Sequence, residues 1–266
     1  MIRSPVAVDC TNCLRIAVLL LPLYCLDARL LFADELPSVT PYRPTVSNPA
    51  ELSAPRHVEV EAGFEHVNGG GLKERLATPL TLKYAFNEDW GLLLNSGWMY
   101  EKGRDDGVVD GWNPSALLLK SHYALNEDNA VGIELGVGTP ALAGYFAEGD
   151  PDLVVNLIYS VDIGETRFDA NFGMTRIGWF DDETNVDRHQ YQWALALSHP
   201  VSNGWSVAAE LSGNARYGSQ PYQQALVCAS YALSRTTVID AGGAYGVGGD
   251  SAATRNLFIG VSMLID

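Results

Sequence analysis

The chain has 266 residues, with 32 acidic and 17 basic side chains and a formal net charge of −15. Such an acidic chain argues against nucleic acid as a partner, because phosphate groups would repel it. Its mean hydropathy is +0.01, a value that suits both a soluble protein and a membrane β-barrel, in which apolar residues occupy alternate positions.

The first 33 residues have the features of an export signal. Arg3 and Arg15 supply positive charge, residues 16–25 form an apolar core, and residues 31–33 offer a cleavage site. We therefore predict a signal peptide over residues 1–33 and export of the remaining chain. The alternative is a single membrane anchor, which Asp27 and Arg29 disfavour because charges are costly within a bilayer.

A proline-rich stretch follows at residues 34–56. It contains five prolines and shows no alternation of apolar and polar residues. Because proline fixes φ and has no N–H to donate, we expect an extended or turn-rich segment and not a strand. Two placements remain open at this point: a loose periplasmic segment, or a partial plug inside a barrel.

From residue 57 onward the sequence alternates between apolar and polar residues, as in Val58-Glu59-Val60-Glu61. This period of two places one residue set on each face of a sheet. Residues 57–266 are therefore predicted to form an all-β fold, a transmembrane antiparallel up-and-down β-barrel of about 12 strands, an even number as in bacterial outer-membrane barrels. The predicted strands are 57–67, 75–86, 90–101, 113–125, 130–139, 152–160, 166–180, 188–198, 205–216, 222–231, 236–245 and 255–265.

Short and long connections alternate along the predicted barrel. Residues 87–89, 126–129, 161–165, 199–204 and 232–235 are short turns, whereas 102–112, 143–151, 181–187 and 246–254 are longer loops. Short periplasmic turns and longer outer loops are typical of outer-membrane barrels. Aromatic residues border the short turns and predict a periplasmic-side girdle of Tyr84, Trp90, Tyr123, Tyr159, Trp205 and Tyr231; an outer girdle would comprise Trp98, Tyr100, Trp112 and Trp179.

The polar face of the predicted strands carries charged side chains, which would be unfavourable against lipid and therefore indicate a polar interior. The interior could be an open conduit, or the charges could pair and fill it. The candidate lumen-lining residues are Glu59, Glu61, Glu65, Lys83, Glu101, Lys120, His122, Glu134, Asp169, Gln192 and Glu210, with Arg167 as a further counter-charge. No metal site or cofactor is predicted.

Three stretches of the chain also resemble a known family. They are Arg-Pro-Thr-Val-Ser-Asn-Pro-Ala-Glu-Leu at residues 43–52, Val-Glu-Val-Glu-Ala-Gly-Phe at 58–64 and Leu-Lys-Tyr-Ala-Phe at 82–86. They look like the outer-membrane family named for the meta-pathway of phenol degradation. The first string is fairly specific, and elsewhere the resemblance is mainly one of pattern. It implies a barrel that passes hydrophobic or aromatic compounds.

Together these features predict a passive conduit or binding channel in the outer membrane of a Gram-negative bacterium, with membrane lipid and a small, aromatic or hydrophobic solute as partners. The alternatives are a structural barrel with a filled lumen, a soluble secreted β-protein, and an outer-membrane lipase or deacylase. That enzyme would need a serine two positions from a histidine on one strand face. None of the five histidines is followed at the second position by serine, so a non-enzymatic role is expected.

Overall fold

The computed structural model describes residues 37–70, 72–104, 106–112, 115–139, 150–178, 185–249 and 253–265. The predicted signal peptide and Trp179 lie outside these residues. The described part of the chain is all-β, and its strands are β1 (Val58–Gly69), β2 (Leu72–Ala85), β3 (Trp90–Gly103), β4 (Val108–Trp112), β5 (Ser115–Ala124), β6 (Asn129–Thr139), β7 (Asp152–Ile163), β8 (Thr166–Arg176), β9 (His189–Ser202), β10 (Trp205–Arg216), β11 (Tyr222–Ser234), β12 (Thr237–Gly249) and β13 (Arg255–Ile265).

The strands close into a barrel. Each strand from β5 to β13 pairs antiparallel with the next, and β3 pairs with both β2 and β5. The ring closes where β1 pairs with β2 on one side and with β13 on the other, from Val58 opposite Ile265 to Asn68 opposite Arg255. Closure leaves no unpaired sheet edge in the ring. The predicted twelve-stranded up-and-down barrel is confirmed, with β4 as an additional strand.

The additional strand corrects one predicted loop. Residues 102–112 were expected to form a long loop, but Val108–Trp112 pairs with β3 and makes a hairpin, in which Trp98 lies opposite Trp112. The predicted strand over 113–125 accordingly starts only at Ser115. The physical reason is local, because two β-branched valines and an aromatic pair favour a strand over an open loop.

The other strand boundaries differ from expectation by a few residues. β8 ends at Arg176 and not at residue 180, whereas β9, β11 and β12 run three to four residues further than predicted. Pro200 lies within the extended part of β9. These extensions lengthen existing hairpins without altering the order of the strands.

The polarity of the barrel is the reverse of that of a soluble protein. Along β6 the side chains of Ile133 and Leu135 are exposed, whereas Glu134 between them is buried. The same alternation of exposed apolar and buried polar residues recurs on β1, β5 and β10. Small apolar clusters lie inside, such as Tyr42 with Leu93 and Leu118. In the described part of the chain, no helix is long and apolar enough to span a bilayer.

Candidate functional site

The interior of the barrel contains a dense group of buried charged side chains. Seven of the eleven lumen-lining candidates are at most 9% exposed to solvent: Glu59, Glu61, Lys83, Lys120, Glu134, Asp169 and Glu210. They come from β1, β2, β5, β6, β8 and β10, and the alternation of each strand turns them to the same inner face. Because unpaired buried charges are strongly unfavourable, each must find partners inside the ring.

Those partners are supplied largely by the proline-rich segment, defined here as residues 37–56. The segment starts near the end of the barrel that carries the short turns, where the Val39 N–H donates to the Arg235 carbonyl at 2.9 Å. It returns to the same end, where the Arg56 N–H donates to the Ala85 carbonyl at 2.8 Å. Between these two anchors it contains turns and bends, as its prolines predict, and one isolated β-bridge of Pro55 with Ala85.

The backbone of the proline-rich segment donates hydrogen bonds to side chains on the strands. The N–H groups of Tyr42 and Arg43 donate to Glu61 at 2.7 and 3.1 Å, and the Ser47 N–H donates to Glu210 at 2.8 Å. Buried backbone N–H groups must be satisfied, and a proline-broken segment cannot satisfy them in a ladder. Acidic and polar side chains of the barrel therefore replace the missing strand partner.

Further bonds of the same kind involve the deeper part of the segment. The Asn48 N–H donates to Asn171 Oδ1 at 2.9 Å, and the Ala50 N–H donates to Ser160 Oγ at 2.8 Å. In the opposite direction, Lys120 Nζ donates to the Pro49 carbonyl at 2.5 Å. The barrel wall thus accepts hydrogen bonds from the N–H groups of the segment and donates one to a carbonyl of the segment.

Tyr42 lies between two lysines at the centre of this arrangement. Lys83 Nζ and Lys120 Nζ are each 4.0 Å from the centroid of the Tyr42 ring. Both lysines are also paired with acids, Lys83 Nζ with Glu61 Oε1 at 2.6 Å and Lys120 Nζ with Glu134 Oε1 at 3.5 Å. Each ammonium therefore has a cation–π contact on one side and a carboxylate on the other, which compensates for its desolvation.

The hydroxyl of Tyr42 points back into the segment and donates to the Glu51 carbonyl at 2.6 Å. Burial raises the pKa of Tyr42 well above its usual value, and the negative charges of Glu134, Glu59, Glu61 and Glu51 raise it further. The phenol therefore stays protonated and remains a hydrogen-bond donor. This bond closes a loop of the segment between residues 42 and 51.

Arg43 is accommodated by two glycines that face each other across β1 and β13. Gly63 is the register partner of Gly260, and a Cβ at these positions would lie 2.6 and 2.3 Å from the Arg43 guanidinium. Arg43 Nε donates to Asp240 Oδ2 at 3.2 Å, and the Asp240 side chain is 2% exposed. The glycine pair therefore provides the space in which the arginine reaches its acid.

We expect Gly260→Val to displace Arg43 and leave Asp240 buried without its cation. Breaking one partner of a buried ion pair costs about 3–5 kcal/mol, so the free energy of unfolding measured by urea titration in detergent should fall by roughly 3 kcal/mol. Gly111→Val is the matched control, since a Cβ there meets nothing within 4 Å. Equal losses for the two variants would contradict the role of the glycine pair.

Arg167 forms a second ionic group at the short-turn end. Its guanidinium donates to Asp169 Oδ1 at 3.1 Å and is paired with Glu51 of the proline-rich segment. The Asp169 carboxylate also accepts a hydrogen bond of 2.5 Å from Ser160 Oγ. Arg167 thus connects β8 with the part of the segment that leads back to the barrel wall.

Two cavities of about 510 and 250 Å³ lie towards the opposite end of the barrel, beyond the proline-rich segment. Val46 of the segment lines both of them. Glu65 lines the larger cavity and Gln192 the smaller. Arg43 and Arg75 also line the larger cavity, whereas the smaller cavity is lined by uncharged polar and apolar residues.

The other candidate residues are less closely involved. His122 Nδ1 lies 3.3 Å from the Ala50 carbonyl, at the edge of the segment. Glu101 is half-buried on β3, opposite Arg75 in the register. The sequence analysis did not single out Tyr42, Arg43 or Asp240. The sequence signal that marked the other acids is also present at Asp240, because this acid stands between apolar residues on the alternating strand β12.

The aromatic residues that border the short turns all lie at one end of the barrel. Tyr84, Trp90, Tyr123, Tyr159 and Trp205 are exposed by 38 to 67%. Tyr231 is half-buried because its ring packs against Trp205 at a centroid distance of 4.9 Å. At the other end Trp112 is 53% exposed, on β4.

Four of the five histidines contact groups other than a serine hydroxyl. His66 lies 3.3 Å from Glu74, His189 lies 2.9 Å from Asp187, and His199 lies 3.0 Å from Thr166 Oγ1. None of these contacts, nor that of His122, joins a histidine to a serine hydroxyl. Within the described ranges, no group of three or more His, Cys, Asp or Glu residues is arranged to hold a metal ion.

The loop between β3 and β4 contains an exposed ionic group. Asp106 Oδ1 lies 2.7 Å from Lys73 Nζ and 3.2 Å from Lys102 Nζ. The hydrogen bonds from the two lysines lower the pKa of Asp106. The side chains of this group are 37 to 66% exposed, and the group is separate from the interior.

No protein-family model matches the chain, and no curated protein matches it either. Solved structures do. An outer membrane channel from Pseudomonas putida F1 is similar at a TM-score of 0.63 and 14% sequence identity, covering 81% of this chain and 98% of that one. The KdgM porin in complex with disordered oligogalacturonate has a TM-score of 0.53 and 9% identity, covering 77% of this chain and 99% of that one. At such identities the likeness establishes the fold, which is that of the outer-membrane β-barrels.

Proposed function

We propose that this protein is a channel of the Gram-negative outer membrane, which admits small solutes, with hydrophobic and aromatic compounds among them. The observation that carries the proposal is the reversed polarity of the closed barrel. Charged side chains such as Lys120 and Glu134 are buried inside, whereas the intervening leucines face outward. A soluble barrel would gain nothing from exposing a complete apolar outer surface, but a lipid environment requires it.

In this proposal the exposed aromatic residues at the short-turn end lie at the periplasmic interface of the bilayer, where amphipathic rings are favoured. Residues 1–33 would direct export and be removed. The eleven lumen-lining candidates would face the aqueous interior or the proline-rich segment.

The proline-rich segment, in the same proposal, is a plug that narrows the lumen. Its main-chain contacts with Glu61, Glu210 and Asn171 support this role, because they come from opposite parts of the ring. The string at residues 43–52 that resembles the phenol meta-pathway family coincides with the part of the segment that reaches the interior. The resemblance of this string is the basis on which we propose the passage of hydrophobic or aromatic compounds.

The proposal is tested in two stages. Purified protein in detergent should show a β-type circular dichroism spectrum and heat-modifiable gel migration; a mainly helical spectrum would contradict the barrel. A strain lacking the protein should then take up aromatic compounds more slowly than a complemented strain. The control solute is a small ion that enters through general porins.

A structural barrel with a filled lumen is the second candidate, and the ionic packing around Tyr42 favours it. The two candidates differ in planar bilayers, where a channel conducts and a structural barrel does not. Unchanged uptake together with no conductance would leave the structural role. Hydrolysis of phospholipid by the purified protein would instead support the enzyme alternative.

A further inference from the structure

The smaller interior cavity has an unusual lining. It is lined by the carboxamides Asn156, Asn171, Gln192, Asn214 and Gln224, by Ser212 and Tyr222, and by the apolar side chains of Val46, Trp193 and Ala194; among the described residues, no acidic or basic side chain lines it. We call this 250 Å³ cavity the amide chamber. Carboxamides offer both donors and acceptors without charge, so the chamber presents hydrogen-bonding groups of both kinds to whatever enters.

Part of this hydrogen-bonding capacity is already used. Asn156 donates to Glu134 at 2.9 Å, and Asn171 donates to the Asn48 carbonyl at 2.8 Å. Tyr222 donates to Gln224 at 2.9 Å. Asn156 and Asn171 thus belong to the wall shared with the proline-rich segment, whereas Gln192 and Asn214 are half-buried side chains outside that network.

The amide chamber adjoins the larger cavity, since Val46, Asn214, Tyr222 and Gln224 line both. On the larger side, Asn256 has a buried Oδ1 atom with no hydrogen-bond partner. A buried acceptor without a partner is unfavourable, and a hydroxyl group of a solute would satisfy it. Phe258 and Leu226 line the same cavity and provide an apolar surface beside this acceptor.

We propose that the amide chamber is a binding subsite for a neutral polyhydroxylated solute of about one sugar ring. Hydroxyl groups both donate and accept, as the amides do, and the C–H faces of a sugar ring suit the apolar side chains. A hydrocarbon would leave the amides without partners on desolvation. The inference rests on the proposed channel function and refines it, because it assigns hydroxyl groups to the solutes that the interior retains.

The test measures binding of methyl glucoside to the full-length protein by saturation-transfer NMR. The protein is held in an amine-oxide detergent, because the headgroups of maltoside or glucoside detergents would compete. We expect Gln192→Leu and Asn214→Leu each to weaken binding about fivefold, the effect of one lost hydrogen bond of roughly 1 kcal/mol. Gln190→Leu is the matched control on β9, because Gln190 faces the same way but does not line the chamber.

Heat-modifiable migration first establishes that each variant is folded. Equal binding by the wild-type protein and both chamber variants would overturn the proposal, as would a lack of glucoside binding by the wild-type protein. Tighter binding of glucuronate than of glucoside would instead assign the interior to anions, through Arg43 and Arg75 of the larger cavity. Conductance is a separate readout: its absence would contradict the channel proposal but would leave the binding result valid.

Discussion

Replacing Tyr42 by alanine is expected to raise single-channel conductance strongly. The substitution removes a buried ring that contacts two ammonium groups, each 4.0 Å from its centroid. Truncation of a buried aromatic costs about 3–5 kcal/mol, which shifts the balance between the seated and the released segment by roughly 100-fold or more. Recordings in planar bilayers at fixed salt concentration measure the effect directly.

Tyr42→Phe is the matched control for this experiment. Phenylalanine keeps the ring between Lys83 and Lys120 and loses only the hydrogen bond to the Glu51 carbonyl. A single hydrogen bond contributes about 1 kcal/mol, so its conductance should stay much closer to that of the wild-type protein. If both variants conducted like the wild-type protein, the role of the segment as a plug would be wrong.

The second large effect is expected at Lys83. Its ammonium lies 2.9 Å from Glu59 and 2.6 Å from Glu61, and the lysine side chain is 1% exposed. Lys83→Met would leave two buried carboxylates without their cation, and we expect a loss of about 3–5 kcal/mol in the free energy of unfolding. Urea unfolding followed by tryptophan fluorescence in lipid vesicles provides the measurement.

Lys73 on the same strand supplies the control. It pairs with Asp106 at 2.7 Å, but its side chain is 45% exposed, and exposed ion pairs contribute only about 0–1 kcal/mol. Lys73→Met should therefore leave stability nearly unchanged. Adding Glu59→Gln and Glu61→Gln to Lys83→Met should recover part of the loss. A similar loss for Lys73→Met, or no recovery in the triple variant, would contradict the buried-ion explanation.

Two parts of the interior that differ in chemistry constrain which solutes the protein can retain. The charged side chains around Tyr42, which are Lys83, Lys120, Glu59, Glu61 and Glu134, pair with one another. They therefore have few free hydrogen-bonding groups for a passing solute. The 510 Å³ cavity beside the amide chamber retains the side-chain Oδ1 atom of Asn256 with no partner. We therefore expect solutes to bind in the cavities beyond the proline-rich segment. We expect the segment itself to control their passage.

The sequence by itself determined the barrel and the orientation of its strands. Alternation as in Val58-Glu59-Val60-Glu61 is a local property, because side chains on a strand point to opposite faces in turn. That period was sufficient to predict that Glu134, Lys120 and Glu210 lie on the inner face, before any tertiary contact was known. The location of the aromatic residues at one end of the barrel could also be predicted, since it depends only on the position of each residue along its hairpin.

Only the tertiary structure decided which groups meet inside the ring. Asp240 and Arg43 are 197 positions apart in the chain, and no local pattern links them. The proline-rich segment has no period, so its path is set by the acceptors that closure of the barrel brings together around it. Local alternation fixes faces, whereas contacts across a closed ring depend on register and strand order, which no short stretch of sequence encodes.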